Sequence, residues 1–193
     1  NLTTQLIEWY TINKRDLPWR KTLDPYKIWV SEIILQQTQI KTGIKYYQNF
    51  IKKFPNIQSL SEAKDIDVLK IWQGLGYYRR ALNMLETAKK INTTYNKGFP
   101  SHYNELIQLK GIGEYTAAAI SSICFNEKRA VLDGNVYRVL SRVYNISDPI
   151  NTNNSKKKFQ KIANKLISHS KPGIYNQAIM DFGSIHCKQH NPK

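Results

Sequence analysis

Apolar residues along this chain recur at a spacing of three to four. Ala81, Met84, Leu85, Ala88 and Ile91 fall at i, i+3, i+4, i+7 and i+10; Val136, Val139, Leu140 and Val143 repeat the spacing, as do Phe159, Ile162, Ala163, Leu166 and Ile167. Such stripes lie along one side of an α-helix, which turns once in 3.6 residues. Start signals accompany them: Asp24-Pro25 ahead of a helix expected over 26–42, Ser101 ahead of a short one, and Asn154-Ser155 ahead of a basic one. The most apolar stretch, Ala117 to Phe125, reads as a buried helix. No segment alternates with period two, so no strand is predicted and the expected fold class is all-α. Gly, Pro and polar clusters put loops near 13–25, 54–61, 74–77, 95–101, 110–114, 127–134, 146–154 and 169–173. No internal repeat is visible.

With 193 residues and 41% hydrophobic content, the chain has room for one large domain or two small ones sharing a core. No apolar run approaches the ~20 residues that span a bilayer. Residue 1 is Asn and no signal peptide precedes it, so the sequence is expected to be an excised piece. The formal net charge of +15, from 29 Lys and Arg against 14 Asp and Glu, favours a polyanionic partner. Lys, Asn and Ile also have A/T-rich codons, so a biased genome supplies a second source of the excess. Lys156-Lys157-Lys158 reads as a solvated helix face rather than a phosphate clamp. Two cysteines, Cys124 and Cys187, make no disulfide framework. An intracellular, reducing setting, in cytoplasm or nucleoid, is therefore expected.

Leu109-Lys110-Gly111-Ile112-Gly113 lies between two expected helices, the second starting near Glu114. Two glycines around one apolar residue make a tight hairpin whose backbone can approach another chain closely. The helix N-terminus that follows adds a dipole suited to an anion. A lone Gly-x-Gly would deserve the plainer reading of a helix connection. Here it leads into Tyr115-Thr116-Ala117-Ala118-Ala119-Ile120, and Leu132-Asp133-Gly134-Asn135-Val136 follows about twenty residues on.

Two acidic residues stand out. Glu32 is a lone acid within Trp29-Val30-Ser31-Glu32-Ile33-Ile34-Leu35, a setting that favours a protonated carboxyl through desolvation. Asp133 precedes Gly134-Asn135 at an expected helix start, where backbone N–H groups favour an ionised carboxylate. Hydrolysis of a purine N-glycosidic bond requires such a pair: one acid to protonate the departing base, one carboxylate to face the cationic sugar. Each also has a bland reading, Glu32 as a solvent-facing helix residue and Asp133 as a plain N-cap.

The hairpin followed by the Gly-flanked Asp resembles the helix-hairpin-helix base-excision glycosylases, which flip the target nucleotide out of the duplex. Four further words sharpen the resemblance: Asp16-Leu17-Pro18-Trp19-Arg20, Pro25-Tyr26-Lys27-Ile28-Trp29-Val30-Ser31-Glu32, Leu35-Gln36-Gln37-Thr38-Gln39 and Gly74-Leu75-Gly76-Tyr77-Tyr78-Arg79. In that order they are similar to the MutY-type adenine DNA glycosylases, and the likeness covers essentially the whole chain. It implies a two-lobed helix-hairpin-helix DNA glycosylase fold, with a lobe over 21–133 and a second lobe from 1–20 plus 134–193. It implies a monomer acting on double-stranded DNA carrying A opposite 8-oxoguanine or G.

The resemblance also implies roles. Glu32 matches the general acid that protonates adenine N7, and Asp133 the carboxylate that stabilises the oxocarbenium ion. Tyr115 stands where lyase relatives carry a Schiff-base lysine, and Asn135 matches a residue that helps orient water. Gln37 and Tyr77 match side chains inserted into the duplex, flanked by Gln36 and Thr38. Lys110, Gly111, Ile112 and Gly113 form the phosphate-holding hairpin. Arg15 and Gln177 match the edge of the adenine pocket. Cys187 matches the first ligand of a [4Fe–4S] cluster. The resemblance places the other three ligands, and a domain that reads 8-oxoguanine, beyond Lys193, so the sequence is expected to be truncated at the cluster. A zinc site from His186, Cys187 and His190 is disfavoured, since near-adjacent residues converge poorly on a tetrahedral metal. Three rival functions are a thymine-mismatch glycosylase, a pyrimidine-lesion lyase (which would need lysine at 115) and a non-catalytic hairpin module (which would need neither Glu32 nor Asp133).

Overall fold

In a computed structural model, residues 1–95, 98–169 and 171–192 are described. The loops expected over 95–101 and 169–173 lie partly outside those residues. The described chain is all-helical. Its helices are α1 (Leu2–Asn13), α2 (Pro25–Ile34), α3 (Ile40–Lys53), α4 (Ile57–Ser61), α5 (Asp65–Trp72), α6 (Arg79–Thr94), α7 (Tyr103–Leu106), α8 (Glu114–Phe125), α9 (Gly134–Val143), α10 (Asn153–Leu166) and α11 (Pro172–Ile185), with a short 3₁₀ turn at Pro18–Arg20. No strand occurs among the described residues, and none of their helices is long and apolar enough to cross a membrane.

The chain divides into two compact units, Asp16–Ile120 and Asn1–Arg15 with Ser121–Lys193. From sequence the corresponding boundaries are expected at 20/21 and 133/134. The 120/121 boundary falls inside α8, where no Gly, Pro or polar cluster marks it.

In the unit Asp16–Ile120, α4 and α5 pack on α6, α3 packs on α5, and α2 on α3. Every residue of the 81–91 stripe, Ala81, Met84, Leu85, Ala88 and Ile91, is buried. They join Trp29, Phe50, Leu60, Trp72 and Leu106 in a core where each fully buried Leu, Met or Phe contributes about 1.5–3 kcal/mol. Phe50 meets Trp72 edge-on at 5.9 Å between ring centroids. Asp24 caps α2 as its sequence suggests, Oδ1 accepting from the Tyr26 amide at 3.0 Å with Pro25 in the first position.

The helix expected over 26–42 does not run through. It stops at Ile34, and α3 starts afresh at Ile40. The amides of Gln36 and Thr38 turn back on Ile33 and Leu35, and Gln37 sits in the left-handed region at φ 56°. An arginine of α6, Arg80, donates to the Ile33, Ile34 and Gln36 carbonyls at this break.

In the unit Asn1–Arg15 with Ser121–Lys193, α11 packs against both α1 and α9, and α10 against α9. Val136, Val139 and Leu140 are buried as the stripe implies, whereas Val143 at its end is 50% exposed. Phe159, Ala163 and Ile167 are buried, and Phe159 meets Tyr137 edge-on. The start signals shift by a residue or two. His102, not Ser101, caps α7, and Thr152, not Asn154, caps α10, its side chain accepting from the Ser155 amide. Ala117, Ala118, Ala119 and Ile120 on α8 are buried, as the apolar stretch implies.

Candidate active site and nucleic-acid interface

In the unit Asp16–Ile120 the candidate residues lie on α2, on the turns after α2 and after α5, on the hairpin at 110–113 and at the start of α8. Glu32 lies on α2, half-buried between buried Ser31 and Ile33. Gln36, Gln37 and Thr38 form the turn just beyond, Gln36 and Gln37 exposed and Thr38 partly so. Tyr77 lies on the turn between α5 and α6, left-handed at φ 48° and 67% exposed. A bulky side chain in that backbone region is strained and needs support from its surroundings. Gly74 and Gly76, both with positive φ, supply the tightness of the turn, and Tyr46 Oη ties it to α3 by donating to the Gln73 carbonyl at 2.8 Å.

One side chain links the two turns. Arg80 donates through Nη1 to the carbonyls of Ile33 (2.9 Å), Ile34 (3.3 Å) and Gln36 (2.6 Å), and through Nη2 to Gly76 (3.2 Å). Its guanidinium lies 5.4 Å from the Trp72 ring centroid and 5.6 Å from that of Tyr77. No local pattern in the sequence marks Arg80; its partners lie 44 to 47 residues away on one side.

The hairpin is built as its sequence suggests. Lys110, Gly111 and Gly113 are exposed, while Ile112 is buried and anchors the tip, its amide donating to Leu109 at 3.1 Å. Gly111 has φ 79°, where a side chain is strained, and a Cβ there would stand 3.1 Å from Asn83 Cβ, so glycine lets the hairpin close tightly against α6. Thr87 Oγ1 donates to the Lys110 carbonyl at 2.7 Å, and Lys110 Nζ pairs with Glu86. Open space surrounds the Cβ position of Gly113. Tyr115 follows, half-buried in the first turn of α8.

In the unit Asn1–Arg15 with Ser121–Lys193, Asp133 is the N-cap of α9, and both of its oxygens are engaged. Oδ1 accepts from the Val136 amide at 2.8 Å, and Oδ2 accepts from Asn135 Nδ2 at 2.7 Å. Asn135 Oδ1 accepts in turn from Arg138 Nη2 at 2.7 Å. Arg138 also donates to the carbonyls of Gly183 (2.6 Å) and Cys187 (2.8 Å). The preceding loop is fixed by Asn176, which is fully buried: its Oδ1 accepts from the Val131 amide, and its Nδ2 donates to Ser122 Oγ and the Arg129 carbonyl. Asp133 is thus the N-cap of α9, with a backbone N–H on one oxygen and a side-chain amide on the other.

Arg15 and Gln177 lie on one side of α11. Asp181, one helical turn from Gln177 and fully buried, accepts from the Arg15 amide and from its Nε at 3.1 Å, and forms an ion pair with Nη2. Arg15 Nη1 donates to Ser184 Oγ at 3.3 Å. Tyr10 Oη donates to Gln177 Oε1 at 2.9 Å. Asp181, Asn176 and Arg138 are missed from sequence, although a polar residue amid the apolar positions of 172–185 is a usable signal for the first two.

Cys187 is buried, and its sulfur accepts from Arg142 Nη1 at 3.3 Å. Cys124 is free and half-buried, and among the described residues no group of three or more His, Cys, Asp or Glu could hold a metal ion. Cys187 is one sulfur donor among the described residues, enough for a single ligand of a cluster and not for a whole one, so no step below runs through one.

Residues 30–169 match the HhH-GPD superfamily of base excision DNA repair proteins, and the chain belongs to that family. Among named relatives, it is 43% identical over 189 residues to an adenine DNA glycosylase of Buchnera aphidicola subsp. Schizaphis graminum, covering 97% of this chain and 54% of that protein. It is 41% identical over 197 residues to the adenine DNA glycosylase of Homo sapiens, covering 97% of this chain and 36% of that protein. The chain therefore spans about half, or less, of the length of these relatives. Among solved structures it superposes on a thermostable thymine-DNA glycosylase with a TM-score of 0.90 at 29% identity, covering 100% of this chain and 88% of that one. It shares its fold with endonuclease III in a non-covalent DNA complex, TM-score 0.82 at 19% identity, covering 100% and 87%.

Proposed function

We propose that this chain is the catalytic part of a monofunctional adenine DNA glycosylase, acting as a monomer on double-stranded DNA with A opposite 8-oxoguanine or G. The observation that carries this reading is the likeness to adenine DNA glycosylases over 97% of the chain. Supporting it, Asp133 is held in place by N–H donors on both of its carboxyl oxygens.

The chemistry follows from the two acids. With adenine flipped from the stack, Glu32 gives its proton to N7. The C1′–N9 bond breaks, and its electron pair leaves with the base. The ionised Asp133 faces the positive charge that develops on the sugar, and water oriented with help from Asn135 adds at C1′ and gives up a proton to solvent. Gln37 and Tyr77, exposed on strained turns, enter the duplex and offset the stacking lost on flipping. The exposed hairpin Lys110–Gly113 approaches a phosphate, and Arg15 and Gln177 border the adenine. Tyr115, a phenol where lyase relatives carry an amine, leaves the product an intact abasic site. Cys187 is one ligand of a [4Fe–4S] cluster whose further ligands the described residues do not include.

Base release from three duplexes tests this reading: A opposite 8-oxoguanine, A opposite G, and T opposite G. Free adenine from the first two is expected. Thymine from the third without adenine from the others would overturn it in favour of the thymine-mismatch branch, towards which the likeness to a thymine-DNA glycosylase points.

A further inference from the structure

The two turns proposed above to enter the duplex, around Gln37 and Tyr77, are separated by some forty residues of sequence, and each holds a non-glycine residue in the left-handed region. Neither turn is long enough to support itself. In the turn after α2 the Gln36 and Thr38 amides reach the Ile33 and Leu35 carbonyls only at 3.3 and 3.2 Å, and Arg80 adds a donor to Ile33 and supplies one to Ile34. The Gly74–Tyr77 turn holds three positions of positive φ, Gly74, Gly76 and Tyr77, and beyond the Tyr46 tie at Gln73 its Gly76 carbonyl is held by side chains of Trp72 and Arg80.

We propose that Arg80 is the positioning residue that holds both turns as one rigid unit, so that Gln37 and Tyr77 enter the duplex together. One guanidinium donates to the carbonyls of Ile33 and Ile34 at the end of α2, of Gln36 in the turn beyond it and of Gly76 in the second turn, and it lies over the rings of Trp72 and Tyr77. Its Nε is buried without a partner, so all of its side-chain hydrogen bonding runs through the two terminal nitrogens. Its own amide donates to the Tyr77 carbonyl at 2.9 Å, which fixes the side chain's origin against the second turn. A positive charge at the C-terminal end of α2 is also favoured by the helix dipole. Only arginine meets this demand. A planar fork reaches carbonyls on two segments while stacking on rings, whereas the single ammonium of lysine reaches one group of acceptors at a time and stacks less well. Trp72 is the accessory: its Nε1 donates to the same Gly76 carbonyl at 3.0 Å.

This role rests on the reading of Gln37 and Tyr77 as inserted side chains, and it is tested in two arms. The first needs no DNA. Hydrogen exchange of the free protein is compared with that of Arg80→Lys. Hydrogen bonds to a charged donor are worth enough that their loss raises exchange by about tenfold or more. That rise is expected in residues 35–38 and 74–78 together, with the hairpin 109–113 unchanged. A rise in one turn only, or in neither, overturns the clamp; a rise throughout the chain marks general destabilisation and overturns it as well. Should Arg80→Lys not fold, Trp72→Phe withdraws the second donor to Gly76 and is expected to raise exchange in 74–78 while Arg80 still protects 35–38. Equal exchange to wild type in 74–78 would count against the clamp.

The second arm reads function. Single-turnover adenine release is measured from A opposite 8-oxoguanine in a full duplex and from an adenine left unpaired in a bulge, which needs less help to leave the stack. Arg80→Lys is expected to slow the first by about tenfold or more and the second much less. Equal slowing of both would mean that Arg80 does not act through insertion. Wild-type protein that releases no adenine from either duplex would sink the glycosylase reading, and the exchange arm would still decide whether Arg80 joins the two turns.

Discussion

Asn135 donates its side-chain amide to Asp133 Oδ2 over 2.7 Å while its own carbonyl oxygen accepts from Arg138 at 2.7 Å. The amide therefore has one orientation. Turned over, it would present oxygen to oxygen at Asp133 and nitrogen to nitrogen at Arg138. The carboxylate proposed to face the cationic sugar is held by an amide that is itself held by a guanidinium, and that guanidinium is anchored on the carbonyls of Gly183 and Cys187.

Arg138→Gln is accordingly expected to lower the single-turnover rate of adenine release by about 10–100-fold, the usual cost of removing an outer orienting partner, with DNA affinity little changed. Single-turnover kinetics beside a binding titration check this. A parallel loss of affinity and rate would show that Arg138 acts on DNA binding and not on Asp133.

Gly183 makes that arrangement possible. A Cβ at this position would stand 2.7 Å from Asn135 Cβ and 3.0 Å from its carbonyl oxygen, so α11 approaches α9 here only without a side chain. Gly183→Ala is expected to destabilise the protein by about 1–3 kcal/mol, as overpacking does, read as a lower urea midpoint with unchanged slope. An unchanged midpoint would show that α9 and α11 separate at no cost.

Local physics made part of this legible in the sequence. The 81–91 stripe, the Asp24-Pro25 start of α2 and the Ile112-anchored hairpin each depend on residues within a few positions of one another, so period and turn chemistry suffice. The break after Ile34 was not legible, because apolar Leu35 and Ile40 flank it and the side chain that bonds its carbonyls, Arg80, lies over forty positions on. Arg138, Asp181 and Asn176 escaped for the same reason. Apart from the Arg138–Asn135 bond within α9, the partners named for them lie 45 to 166 residues away, and no spacing rule reaches that far.

Alkaline pH should loosen the unit Asp16–Ile120. Burial, assisted by the charge of Asp24, pushes the Tyr47 hydroxyl up to about 12 from an ordinary 10.0, and burial raises Tyr26 further still. The unfolded chain then loses these protons first, so the stabilisation is fully present below about pH 10 and is lost as pH climbs towards 12. Tyr47→Phe removes one such proton and should flatten the fall. Denaturant midpoints between pH 9 and 11.5 measure it, and identical slopes for wild type and Tyr47→Phe would refute the assignment.

Tyr115→Lys should add strand cleavage to base removal. An amine in the first turn of α8 has its charged form disfavoured by desolvation and by the helix dipole, which leaves some neutral nucleophile to attack C1′ and form a Schiff base. Borohydride trapping of the protein–DNA adduct reads the result. Equal trapping by the unsubstituted protein would mean that another amine serves and that Tyr115 does not keep the reaction monofunctional.

The central claim, acid-assisted release of adenine, is tested most directly by measuring free adenine in a single turnover on A opposite 8-oxoguanine with wild type and Glu32→Gln. The amide keeps the shape of the side chain and has no acidic proton to give. Wild type is predicted to release adenine, and Glu32→Gln to be slower by about 10²–10⁴-fold at near-equal DNA affinity. A Glu32→Gln rate within a few-fold of wild type, or no adenine from wild type, would contradict the account.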